Sequence, residues 1–166
     1  MPAHSDTIAL IAVGAAVAAI DQLTKLLLVS AIGPDRFASR VEVADGWLAL
    51  EYTENRGAAF GVLSGLMPVL TVASIAILAL LLMHYMRQER PPLWHTLAIG
   101  AIAGGAVGNL VDRVRLGYVI DFLSVGPWPN FNVADSAITV GVLVLIWGWT
   151  RPATAPGVAR VIDQGS

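Results

Sequence analysis

The chain has 166 residues, of which 56% are hydrophobic and only 13% charged, with a mean hydropathy of +0.70. A soluble domain carries roughly a quarter charged residues, so this composition excludes both a water-soluble globule and a disordered chain. The net charge of −2 offers no electrostatic footprint for nucleic acid, the absence of cysteine removes disulfides and thiol chemistry, and His4, His84 and His95 lack the spacing of a zinc hydrolase. A small integral membrane protein remains.

Four apolar stretches are long enough to cross the hydrocarbon, which takes about 20 residues of helix. The first, 7–32, is interrupted by Asp21, Gln22 and Lys25. No Lys or Arg precedes it and the apolar run resumes after Lys25, so it is read as a retained helix rather than a cleaved signal peptide. A loop of about thirty residues follows, too long for a simple turn. Within it, 41–43 and 47–52 read as short strands flanking Asp45-Gly46, a hairpin signal, and a small sheet at the membrane surface is expected. The second span, 66–86, holds no charge, and a short polar connection stopped by Pro91 and Pro92 leads to the third, 93–111. Gly100, Gly104 and Gly108 recur there at four-residue spacing with Gly105 alongside, a stripe that lets helix backbones approach closely. The connection 112–133 is broken by Gly117, Gly126, Pro127 and Pro129, and the fourth span, 134–149, begins beside Asp135. The tail from Arg151 reads as frayed. The expected architecture is an all-α membrane protein, one domain over 1–166, with a small sheet in the first long loop.

Trp94, Trp147 and Trp149 fall at one end of the spans and Trp47 and Trp128 at the other, as interfacial anchors do. The arginines divide between the two sides, so the positive-inside count leaves orientation open, with only a mild preference for both termini inside. An ionisable residue within a span costs about 2.5–3.5 kcal/mol on insertion scales, so each is suspected of function. The exits of odd helices and the entrances of even ones share one side of the membrane. Asp21 and Lys25, Asn55 and Arg56, Asn109, Asp112 and Arg113, and Asn132 and Asp135 therefore gather on one face. Asp21 and Lys25 are four residues apart and can pair, and Asn109 and Arg113, also four apart, can point into one cavity.

With no cysteine, no metal-spaced histidine, no phosphate loop and one lysine poorly placed for Ser30, the reactive groups on that face are Asp21, Asp112, Asp121 and Asp135. Two carboxylates sharing a proton can activate water and protonate a carbonyl or leaving amine, and they need neither metal nor cofactor. Plainer assignments stand beside this one. On the residues alone Asp121 reads first as an exposed loop carboxylate, Asp135 as a partner of a helix dipole, and Asp112 with Arg113 as an ion pair closing the third helix.

Five ordered blocks then carry a resemblance: Asp21-Gln22-Leu23-Thr24-Lys25, Asn55-Arg56-Gly57-Ala58-Ala59-Phe60, Gly104 through Arg113, Tyr118-Val119-Ile120-Asp121-Phe122 and Phe131-Asn132-Val133-Ala134-Asp135-Ser136. The sequence resembles the type II signal peptidases, the prolipoprotein signal peptidases of bacteria, over nearly its whole length. The resemblance implies an aspartyl endopeptidase of the inner membrane that cuts the signal peptide just before the lipid-modified cysteine of a prolipoprotein. It matches Asp121 and Asp135 to the catalytic pair, Asn109, Arg113 and Asn132 to polar residues lining the site, and Asp21, Lys25 and Asn55 to supporting residues. It also implies cytoplasmic termini and a site opening on the outer, periplasmic face. The implied partners are lipid-modified prolipoprotein signal peptides and membrane lipid, and the chain is expected to act as a monomer. The segment between Asp121 and Asp135, which covers the site in the family, is shorter here than in many members. A small proton-coupled transporter or channel component using Asp21, Lys25, Asp121 and Asp135 as a relay, and a membrane scaffold with a polar docking face, are the alternatives.

Overall fold

The computed structural model describes residues 1–33, 40–57 and 67–150. Four helices, α1 (His4–Ala31), α2 (Met67–Met86), α3 (Leu93–Leu116) and α4 (Val133–Thr150), are each long and apolar enough to cross a membrane. Three strands, β1 (Arg40–Ala44), β2 (Leu48–Asn55) and β3 (Val119–Val125), form an antiparallel sheet in the order β1-β2-β3. The Ala58-Ala59-Phe60 part of the second sequence block and the tail expected to fray lie outside the described residues.

α3 is the central helix and packs along both α1 and α4. Its small residues make this possible. A Cβ on Gly104 would fall into the backbone of Gly14 on α1, and one on Gly105 would lie 2.5 Å from the Ala134 carbonyl of α4. Close backbone approach is what a four-residue stripe of small side chains provides in lipid, where Leu-rich surfaces gain little by meeting each other. The outward faces stay apolar, with Val72, Ile77 and Leu80 of α2 and Leu23, Leu26 and Leu27 of α1 all more than half exposed. These are the residues a bilayer would solvate.

α3 runs five residues beyond the expected end at 111, because Val114 and Leu116 continue it until Gly117 stops it. Gly117 takes the left-handed conformation (φ 78°) and returns its N–H to the Arg113 carbonyl, a C-cap that a Cβ would strain. Asn109, Asp112 and Arg113 therefore stand on the last two turns of a helix rather than in a connection. The hairpin forms at Asp45-Gly46, but Trp47 belongs to the turn and β2 begins at Leu48.

The third strand was not legible as one. It comes from the second long connection and pairs with β2 in a register that places Thr53 opposite Asp121 and Asn55 opposite Val119. The sheet is thus built from both long connections. It seals against α1 through a buried cluster of Leu28, Ile32, Tyr52, Ile120 and Phe122, while Tyr85, Ala98, Ile99, Ile102 and Leu145 join α2, α3 and α4 at the opposite end.

Candidate active site

Asn132 is completely buried and organises the site. It is the N-cap of α4. Its Oδ1 accepts the Asp135 N–H at 2.8 Å, and its own N–H donates to Asp135 Oδ2 at 3.3 Å, a reciprocal capping box. Its amide nitrogen donates to Asp121 Oδ1 at 2.7 Å, to Asn109 Oδ1 at 3.1 Å and to the Ile120 carbonyl at 3.2 Å. One asparagine therefore holds the carboxylates of both Asp121 and Asp135.

The other oxygens of the two carboxylates are bound as well. Asn55, at the end of β2, donates to Asp121 Oδ2 at 2.9 Å, and Asn109 donates to Asp135 Oδ1 at 2.8 Å. Asn55 in turn accepts the Gly57 N–H, which fixes its side chain at the strand end. Asp121 is 2% exposed on a paired strand, so the reading of an exposed loop carboxylate is overturned. Burial pushes its carboxyl up from 3.8 to about 7. The Asn55 hydrogen bond opposes that rise, the Asp135 charge adds to it, and the Asn132 hydrogen bond and Lys25 charge oppose it.

Asp21 and Lys25 pair at 2.8 Å, as their spacing predicts, and both are buried. Asp112 does not pair with Arg113. It lies 2.7 Å from the Lys25 ammonium, and Gln22 donates to it at 2.9 Å. Adjacent residues on a helix point about 100° apart, so Asp112 faces α1 while Arg113 faces α2. The Arg113 guanidinium reaches Ser74 of α2 at 3.5 Å and lines a cavity of about 250 Å³ with Asn109 and Asp135. Ile77, Leu78, Leu81, Ile102 and Ile138 supply the apolar remainder of its wall. Asn109 and Arg113 do share one cavity. Ser74 and Gln22 carry roles that the sequence reading missed, although Thr71 and Ser74 are conspicuous as the polar residues early in an otherwise apolar helix.

The cavity runs between three helices, with an apolar wall and with Asn109, Arg113 and the Asp135 carboxylate at its polar end. The family model for signal peptidase (SPase) II matches residues 13–151. The chain belongs to the signal peptidase II family. It is similar to the lipoprotein signal peptidase of Moorella thermoacetica, with 41% identity over 85% of this chain and 92% of that one. It is similar also to that of Halothermothrix orenii, with 38% identity over 76% and 85%. A bacterial membrane enzyme solved by the in meso method superimposes with a TM-score of 0.78 at 31% identity, covering 92% of this chain and 93% of the other. The chain is thus a peptidase, and its four apolar helices make it a multi-pass membrane protein.

Proposed function

We propose that the protein is an aspartyl endopeptidase of the bacterial cytoplasmic membrane that cleaves the signal peptide from diacylglyceryl-modified prolipoproteins, immediately before the lipidated cysteine. Asp121 and Asp135 form the catalytic dyad, and the observation that carries this reading is their shared binding to Asn132. Both acyl chains and the apolar signal helix partition into the bilayer and approach laterally, and the cavity between α2, α3 and α4 receives the peptide. Arg113 and Asn109 hold its carbonyls beside the dyad.

Chemistry follows from unequal environments. The buried Asp121 carboxyl, raised to about 7, carries the shared proton, and Asp135, at the cavity wall, is its partner. Asp135 takes a proton from water as the water oxygen bonds to the scissile carbonyl carbon, while Asp121 gives its proton to the carbonyl oxygen. The tetrahedral intermediate then collapses: its hydroxyl proton returns to Asp121, the C–N bond breaks, and the departing amine takes the proton held by Asp135. Every group in this scheme comes from one chain, which supports action as a monomer. With four spans both termini share a side, and the reading places them in the cytoplasm with the dyad towards the periplasm.

The transporter reading is disfavoured by the middle of α3, where 98–108 carry no polar side chain to continue a relay. Asp121→Asn and Asp135→Asn, each assayed as purified full-length enzyme on a diacylglyceryl-modified precursor, are expected to lose turnover by at least ~10³-fold. Near-normal turnover in either folded variant rules out the dyad.

A further inference from the structure

Lys25 is 2% exposed and lies between two carboxylates that are equally buried, Asp21 at 2.8 Å and Asp112 at 2.7 Å. One buried carboxylate would neutralise it, and a second leaves an excess negative charge away from water, which is costly. Holding α1 against α3 does not require that arrangement. The remaining hydrogen bonds of the two carboxylates give the reason. Asp112 Oδ2 accepts the N–H of Ile120 at 3.1 Å, and Asp21 Oδ1 accepts the N–H of Ala134 at 2.9 Å. Ile120 and Ala134 are the residues immediately before Asp121 and Asp135.

A third arm leaves the same ammonium. Lys25 donates to Asn109 Oδ1 at 3.2 Å, and the amide of Asn109 donates to Asp135. The oxygen of Asn109 is therefore committed to Lys25 and Asn132, which fixes its nitrogen towards Asp135. Gly108 makes room for the device, since a Cβ there would stand 2.6 Å from Asp21 Oδ2. Gln22 closes it from the other side by bridging Asp112 and the Gly108 carbonyl.

We propose that Lys25, Asp21 and Asp112 form a positioning triad that sets the separation and orientation of Asp121 and Asp135 by gripping the backbone one residue ahead of each. β3 and α4 come from different parts of the fold, and the triad is the common anchor that gives their two aspartates one geometry. This rests on the dyad assignment above. Among the described residues, the charged and polar groups around the dyad and the backbone beside it are Asn55 from β2, Lys25 and Asp21 from α1, Asn109, Asp112 and Arg113 from α3, and Asn132 from α4.

Asp112→Ala and Asp112→Asn, with Asp21→Ala and Asp21→Asn, separate this role from simple stability. The purified full-length variants are assayed on a diacylglyceryl-modified precursor, with turnover expressed per folded molecule. The alanine variants are expected to lose roughly 100-fold in kcat with KM changed less than about threefold, as loss of alignment does. Asparagine keeps one oxygen for the backbone N–H, so it should recover at least tenfold of that loss. It should also shift the alkaline limb of the pH–rate profile downwards, because the Lys25 charge, which lowers the Asp121 carboxyl, is then offset by one carboxylate fewer. If the alanine variants do not fold, the asparagine variants still decide through that shift. Unchanged kcat and an unchanged profile per folded molecule overturn the triad while leaving the dyad standing. Activity in Asp121→Asn or Asp135→Asn, run alongside, overturns the dyad instead.

Discussion

Replacing Asp121 by asparagine should change how stability depends on pH, in a direction set by the burial of its carboxyl. In the folded chain the group titrates near 7, against an ordinary value of 3.8. A carboxyl raised on folding binds its proton more tightly in the native state. Its stabilising contribution is full below the unfolded value and disappears as the pH climbs through the folded one. A difference of about three units corresponds to about 4 kcal/mol in full, of which about 2.5 kcal/mol falls between pH 5 and pH 8. The Asp121→Asn variant would have no such titration, at the cost of one hydrogen bond from Asn55 or Asn132, worth about 1 kcal/mol at every pH. Reversible unfolding in mixed micelles at pH 5 and pH 8 should show the parent losing about 2.5 kcal/mol more than the variant. Parallel pH dependences for the two proteins would mean that Asp121 is not held in a costly environment, and the argument for its acid role would fail with it.

The same carboxyl should set the alkaline limb of the pH–rate profile near 7. In Asn132→Ala the hydrogen bond that lowers Asp121 is lost, and since such a bond to a charge is worth about 1.5–3 kcal/mol, that limb should move up by about one to two pH units. An unmoved limb in a folded Asn132→Ala enzyme would contradict the shared-asparagine geometry. Gly104→Val should cost about 3 kcal/mol in the same unfolding measurement, because its Cβ enters the Gly14 backbone and α1 must retreat. Stability within about 1 kcal/mol of the parent would show that α1 and α3 are not in backbone contact. Arg113→Leu should raise KM about tenfold with a smaller change in kcat, the loss of a charged hydrogen bond to peptide that binds before and during reaction alike; a fall in kcat alone would give Arg113 a different role.

Much of this protein is written in local pattern. Helix-length apolar runs fixed the four spans to within a few residues at most ends, and Gly100, Gly104 and Gly108 announced close packing before any neighbour was known. Asp21 and Lys25 pair because four residues make a little more than one turn. Local pattern misleads where a residue's neighbours lie far away in sequence. Asp112 has Arg113 beside it in the chain, yet its partner is Lys25, far earlier in the chain on α1. β3 has too little apolar alternation to identify itself and becomes a strand by pairing with β2.

By itself the sequence determined that the chain crosses a bilayer four times and that its polar groups collect at one end, since hydropathy and the alternation of odd and even helices require nothing from the rest of the fold. Only the tertiary structure decided which polar groups meet. Asp21, Asp112, Asp121 and Asp135 are chemically alike, and each could accept the same donors. Backbone contact at Gly104 and Gly105 and the room that Gly108 leaves for the Asp21 side chain, together with the strand register that sets Thr53 against Asp121, determine which donor each carboxylate finds. Side-chain hydrogen bonds form over about 3 Å, and distances of that order are set by packing rather than by order along the chain.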